Sequence, residues 1–345
     1  MARSWNRSLR WAFSATVFAV VGWVAWSNRR VLVDGVGLIG HAHAGWLVAA
    51  VGAVALLYLC RSLVYRVPLR LLGYTVPWTF LWEVAVIASA VQQLVPSSGA
   101  SSYAFLTFAL NRRGVSSGQA SLIALIDTLS YAFAAATLAV ISLAYIALTG
   151  TLDVKALIAF APGAVLAAVA VWVYGRQRDK EGFIRLVLRL KKRVSSWLGA
   201  TGSDAPVREF LEEYYRGKAV LLRHRRAFAK MIALQYLAVC ADAGAVYLSF
   251  LALGLHPGLL VVFLGFILSM AAGTVVSAPA GGGSFEVVMS AYLARQGMDT
   301  AQAVAGTLLF RLVSFWIPVA VSGVLMLNFR RRKKEIRREA KPRAV

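Results

Sequence analysis

Long uncharged runs dominate this chain, with the polar residues gathered between them. Apolar stretches at roughly 9–27, 44–60, 119–148, 156–174, 231–255 and 302–327 approach or exceed the ~20 residues a helix needs to cross a bilayer. Ala120 to Thr149 is broken only by Asp127, and Phe228 to Leu255 only by Lys230 and Asp242. Two-residue alternation of the barrel type is absent. The pattern predicts an all-α integral membrane protein, one polytopic domain over residues 1–345.

Two further apolar stretches, 76–111 and 259–294, are interrupted near the middle, by Pro96-Ser97-Ser98-Gly99 and by Pro279-Ala280-Gly281-Gly282-Gly283-Ser284. Proline and clustered glycine break a helix, and broken backbone survives in lipid only where it faces protein or a watery cavity. The second arms, Ala100 to Leu110 and Phe285 to Ala294, are too short to span. Each stretch therefore reads as a re-entrant hairpin, giving about six full spans plus two hairpins.

Composition strengthens this picture. Apolar residues make up 59% of the chain and charged ones only 15%, with a mean hydropathy of +0.67. Charge sets the orientation. With both hairpins re-entrant, 32 of the 37 Lys and Arg fall in 1–10, 61–75, 112–113, 175–230 and 328–345, which the positive-inside rule makes cytoplasmic. Arg29, Arg30, Lys155 and Arg295 are left outside, and Arg311 is left within a span. Both termini are then cytoplasmic in an inner membrane, and the run at 9–27 is a retained anchor rather than a cleaved signal peptide.

The net charge of +22 sits beside hydrophobic spans, which points to an anionic lipid surface met by the loop 175–230 and the tail 328–345, not to nucleic acid. Within the loop, Phe183, Val187, Leu190, Val194 and Trp197 share one helical face, with Arg185, Arg189 and Lys192 on another. That spacing predicts an amphipathic helix at the headgroups, the alternative being a partner-binding surface.

The two interruptions are related. At an offset of 183 residues, Pro96, Gly99, Ser101, Leu110, Arg112, Gly114, Gln119, Ala120, Leu125 and Leu129 fall on Pro279, Gly282, Ser284, Leu293, Arg295, Gly297, Gln302, Ala303, Leu308 and Leu312. A first repeat, 76–148, is thus matched by a second, 259–327. Three full spans separate them, so the second copy is inverted. Inverted repeats whose broken helices meet near the midplane characterise secondary transporters. Helix ends at the breaks offer N–H groups and positive partial charge to an anion such as phosphate.

Few ionisable residues lie deep in the apolar segments: Glu83, Asp127, Asp242, Glu286 and Arg311. Each costs about 2.5–3.5 kcal/mol at a helix centre, so such residues face a cavity or one another. Glu286 follows the glycine cluster closely, and Arg311 can meet a phosphate bidentately; the alternative is a helix-packing bridge between Arg311 and one acid. Asp127 nearly matches Arg311 across the repeats, its direct counterpart being Phe310. Arg112 and Arg295 either receive a headgroup at opposite faces or act as snorkelling anchors.

No catalytic constellation is present: His41, His43, His224 and His256 lie in loops or near span ends, and there is no phosphate-cradling loop or nucleophile elbow. Cys60 and Cys240 lie in apolar segments with no metal-ligand spacing around them. No enzyme and no cofactor are expected.

The segment Phe210 to Leu327 resembles the transmembrane domain of the lysylphosphatidylglycerol synthase/flippase family. The likeness rests on Leu253-Gly254, on Pro279 through Glu286, and on Gly297, Ala303, Arg311, Pro318 and Gly323; Pro96 to Gly114 carries a looser version. Two positions depart from the family pattern: Tyr103 stands where an acid is frequent, and Ile126-Asp127-Thr128 replaces a Glu-Arg pair. The resemblance implies a stand-alone, flippase-like member without the soluble synthase domain, which moves a phospholipid, glycolipid or polyprenyl-linked lipid across the bilayer. Lysine transfer is not expected. Gly281, Gly282, Gly283, Ser284, Ser97, Ser98 and Gly99 would supply donors to the headgroup, with Arg311 and Glu286 beside them. Rival readings are a small-solute transporter, an intramembrane lipid-modifying enzyme, and a non-transporting partner of a cytoplasmic glycosyltransferase or synthase.

Overall fold

A computed structural model describes residues 39–40, 42–95, 100–148, 180–198, 204–276 and 283–327. The predicted spans 9–27 and 156–174, the tail 328–345, the whole first break and residues 279–282 of the second lie outside the described residues.

Within the described residues, helices form where the apolar runs predict them: α1 Ala44–Leu71, α2 Trp78–Leu94, α3 Ala100–Asn111 and α4 Ser117–Leu148. They continue as α5 Lys180–Leu198, α6 Ala205–Arg223, α7 Arg225–Ala252, α8 Leu259–Val276, α9 Ser284–Arg295 and α10 Thr300–Leu327. No strand occurs among the described residues. Among the described residues, four segments, α1, Ser117–Leu138 of α4, α7 and α10, are long and apolar enough to cross a membrane. Tolerance of α1 for charge differs from the expectation. The helix does not end at 60 but continues through Leu71, because Arg61 finds partners that let it stay inside. The segment 61–75 is therefore mostly helix rather than loop.

The described residues form two compact units. The first draws on the chain up to Leu59, on Trp82–Ser102 and from Cys240 onward. Its core gathers Phe250, Phe266, Phe285, Met289 and Phe310 with Val54 of α1 and Val86 of α2. Phe266, Phe285 and Phe310 form an aromatic triangle with centroids 5.6–6.2 Å apart, a geometry that adds to the burial of three large rings. Helices α8 and α9 lie antiparallel: Gly265 sits against Tyr292 and Met289, while Gly273 lies nearest Ser284. A Cβ on Gly265 would meet the Tyr292 ring at 2.8 Å, so this glycine sets how closely the arms approach. Gly283 opens α9 at φ +80°, a left-handed conformation that glycine adopts without strain. The Asp299 side chain accepts from the Ala301 and Gln302 amides and starts α10. In the first hairpin stretch, the Ser101 hydroxyl donates to the Val91 carbonyl at 3.3 Å, tying α3 to α2 beside the break.

The second unit comprises Cys60–Leu81 and Tyr103–Val239. Here α6 lies along the first turns of α4. Leu122 packs with Tyr214 and Leu221, and a Cβ on Gly118 would strike the α6 backbone. The Gly118 amide donates to Glu213 at 3.1 Å, so an α6 carboxylate satisfies one of the open N–H groups at the start of α4. The amphipathic helix is present as α5, but its apolar stripe is partly used within the protein. Phe183 packs edge-on against Tyr215 of α6 at 6.3 Å, Ile184 is buried, and Lys191 pairs with Asp204 at 2.9 Å. Arg185 and Arg189 remain exposed.

Candidate functional site

The second hairpin places its acid by its own geometry. Gly283 turns the chain into α9, and Glu286 follows in the first helical turn, where a carboxylate is favoured by the amide dipoles. Arg311, brought by α10, donates from Nε to Glu286 Oε1 at 2.6 Å. The guanidinium also lies over two rings, 5.1 Å from the Phe285 centroid and 4.7 Å from that of Phe315. Arg311 is thus held on one edge by charge and across its plane by aromatic faces.

The helix changes character directly after it. Leu312 to Trp316 form a π-turn. Pro318 lacks the N–H that would bond the Ser314 carbonyl, and its ring crowds that carbonyl; a wider turn ahead of the proline accommodates both. Glu286 keeps more exposure than its partner, 28% of the side chain against 11% for Arg311. Its second oxygen, Oε2, is buried and accepts no hydrogen bond from the described residues. A charged pair with one acceptor uncommitted is an arrangement that can receive a donor-bearing group on the acid and an anion on the base.

The other predicted residues separate from this pair. Ser284 heads α9 next to Gly283. Glu83 and Asp242 belong to the same unit on α2 and α7, both half-buried. Arg112 and Arg295 are exposed at helix ends, and Arg112 stacks on Phe108 one turn earlier at 4.3 Å, the behaviour of an anchor. Ser97, Ser98, Gly99, Gly281 and Gly282 lie outside the described residues.

Asp127 takes part in a different constellation, within the second unit. Its Oδ2 accepts from Arg61 at 3.0 Å and from the Tyr65 hydroxyl at 3.2 Å. Gln235 of α7 donates to the Asp127 carbonyl at 3.5 Å, and Arg61 lies 5.9 Å from the Tyr131 ring. Arg61, Tyr65 and Gln235 were missed by sequence reasoning, which assigned Arg61 to a cytoplasmic loop. The signal was there: the apolar run resumes straight after Arg61, and Arg61 and Tyr65 stand at i, i+4 on one helix face. Nearby on α1, Arg66 and Arg70 line an open cavity of about 300 Å³ with Tyr74 and Pro77.

A family profile described as the lysylphosphatidylglycerol synthase transmembrane region matches residues 11–322. The chain is similar to a UPF0104 membrane protein of Methanothermobacter thermautotrophicus, 24% identical over 332 residues that cover 91% of this chain and 94% of the relative. A UPF0104 membrane protein of Pyrococcus horikoshii is 35% identical over 125 residues, only 36% of either chain, and one of Methanocaldococcus jannaschii is 21% identical over 271 residues, 78% of that relative. A match over nearly the whole length, with four helices among the described residues fit to cross a bilayer, makes this a multi-pass membrane protein that belongs to the lysylphosphatidylglycerol synthase transmembrane-region family.

Proposed function

We propose that the protein moves a lipid with a phosphate-bearing polar headgroup across the cytoplasmic membrane, by alternating access around the second Pro-Gly break. The observation that carries this reading is the Glu286–Arg311 pair, set in apolar segments beside the break, with Glu286 Oε2 uncommitted. A pair serving only to pack two helices gains most when both carboxylate oxygens are satisfied. Here the stacked Arg311 faces a phosphate, while Glu286 accepts from a headgroup hydroxyl or amine. The lipid tails stay in the bilayer, which avoids exposing their apolar surface to water. Arg66 and Arg70, in their cavity on α1, supply a basic site for anionic headgroups. On this reading both termini are cytoplasmic, the basic loop and tail rest on anionic lipid, and the two repeats rock as inverted halves.

Reconstitution into liposomes carrying a fluorescent phosphatidylglycerol tests it. Wild-type protein is expected to move the probe between leaflets, and Glu286→Gln and Arg311→Ala to reduce the rate at least tenfold while inserting normally. Wild-type vesicles no faster than protein-free ones, across phospholipid, glycolipid and polyprenyl-phosphate probes, would overturn the proposal.

A further inference from the structure

The corner between α1 and α2 gathers cations without acids. Arg66 and Arg70 stand one turn apart near the end of α1, on one face of the helix. The chain then reverses at Gly73, which adopts φ +85°, while the Tyr74 amide donates to the Leu69 carbonyl at 2.9 Å. A left-handed glycine closing a helix in this way satisfies a carbonyl of the last turns. It also brings Tyr74 to Pro77 back beside the arginines. Arg66, Arg70, Tyr74, Thr75 and Pro77 thereby line one open cavity of about 300 Å³.

The polar groups on this cavity are donors. Arg66 is half-buried and Arg70 exposed, and neither meets an acid among the described residues. The C-terminal dipole of α1 favours a cation at Arg70, but that influence fades beyond the last turn. Like charges one turn apart repel, so helix stability does not account for the second arginine. The Tyr74 hydroxyl accepts from the Ser116 amide at 3.4 Å, which leaves its own proton to donate. Pro77 accepts from the Leu81 amide at 3.2 Å as α2 begins, and the first turn of α2 carries no acid. The positive end of that helix therefore stands at the cavity wall. Arg113, 4.4 Å from the Phe80 ring, adds a cation beside the same turn. Two acids of this unit are engaged elsewhere, Asp127 by Arg61 and Tyr65, and Glu213 by the Gly118 amide.

Two forked guanidinium groups and two hydroxyls on one cavity match a terminal phosphate. A phosphomonoester brings three strong acceptor oxygens and a charge of about −1.5 to −2 near neutrality. A phosphodiester or a carboxylate brings a single charge and leaves one guanidinium unneutralised. We infer that the α1–α2 corner binds the dianionic phosphate of a phosphomonoester, held by Arg66 and Arg70 and oriented by the Tyr74 hydroxyl. The inference narrows the basic site of the transport reading to one ligand chemistry, and rests on that reading for its cytoplasmic position. It shares no residue with the Glu286–Arg311 pair, which belongs to the other unit.

Isothermal titration of full-length protein in neutral detergent at pH 7.5 tests it with three probes. Dihexanoyl-phosphatidic acid and methyl phosphate are monoesters, and dihexanoyl-phosphatidylglycerol is a diester. Wild type is expected to bind the phosphatidic acid about tenfold more tightly than the diester. Arg66→Gln and Arg70→Gln are each expected to remove most of that preference, and Tyr74→Phe to weaken monoester binding about threefold. None of these variants is expected to shift the thermal unfolding midpoint, and the exposed α6 variant Arg208→Gln is expected to match wild type. Binding of methyl phosphate as well shows that the phosphate suffices, and binding of the lipid alone assigns the site to a headgroup; either result supports it. Equal affinity for monoester and diester, or no monoester binding, overturns the inference by a measurement that needs no variant to fold. A monoester preference unchanged in both arginine variants also overturns it. Those outcomes leave the transport reading to the liposome assay. Conversely, a monoester preference in protein that moves no lipid removes transport and leaves this site standing.

Discussion

A guanidinium stacked on two rings is not replaced by an ammonium of equal charge. In Arg311→Lys the charge next to Glu286 survives, while the flat contact with Phe285 and Phe315 is lost. That contact is worth about 1–2 kcal/mol when desolvated, so initial flipping rates in liposomes are expected to fall about tenfold with expression unchanged. Gly283 offers a second test. Its φ of +80° makes Gly283→Ala costly by about 1–2 kcal/mol, and thermal unfolding in detergent is expected several degrees below wild type. Gly45→Ala, in a helix with nothing within 4 Å of the added methyl, is expected to match or exceed wild type in the same assay. Glu286 and Arg311 were legible because charges in apolar runs are conspicuous. Their pairing was one of two readings, since sequence spacing does not say which acid a span's arginine meets. Arg61 was illegible for the opposite reason: a basic residue at the end of a predicted span looks like an anchor, and only Asp127, 66 positions away, shows that it is internal.

Helices in this chain meet through missing side chains. Gly306 lets α10 press onto the Phe250 ring, and Gly118 lets α4 touch the α6 backbone. Gly306→Val is expected to destabilise by about 1–3 kcal/mol through overpacking, seen as a lower midpoint of thermal unfolding. The smaller Gly217→Ala, whose methyl meets side-chain carbons of Leu122, Gln119 and Leu72 rather than a ring or backbone, is expected to cost less. Element positions followed the hydropathy pattern closely, since apolarity and length settle where a bilayer helix exists. The π-turn at Leu312–Trp316 did not announce itself, although Pro318 did. Proline shows that a helix must adjust and leaves open whether it kinks, breaks or widens. The stripe of α5 was correctly periodic, but periodicity does not distinguish lipid from the neighbouring Tyr215 as the surface it covers.

At the scale of the molecule, the repeats read from the sequence and the compact units of the fold divide the chain differently. The units separate at Leu59/Cys60, Leu81/Trp82, Ser102/Tyr103 and Val239/Cys240, inside helices rather than at loops. Among the described residues, the first unit holds the Glu286–Arg311 pair and the second the Arg61–Asp127 pair, so the segments matched in the sequence carry an arginine on α10 and an acid on α4, opposite signs at nearly matching places. The proposed inverted topology makes a direct prediction. With Cys60 and Cys240 replaced by alanine, Arg113→Cys is expected to react with an impermeant maleimide only from the cytoplasmic side, and Gln296→Cys only from outside. Labelling of both from one side would remove the inversion.

The bond from the Gly118 amide to Glu213 has a mechanical meaning. It joins the α5–α6 pair to the first turn of α4, the helix that carries Asp127, through a contact too close to slide. A pull on that pair is delivered to α4 with little slack. A binder raised against the exposed arginines of α5 would therefore act as a handbrake, slowing the protein from outside the proposed headgroup site.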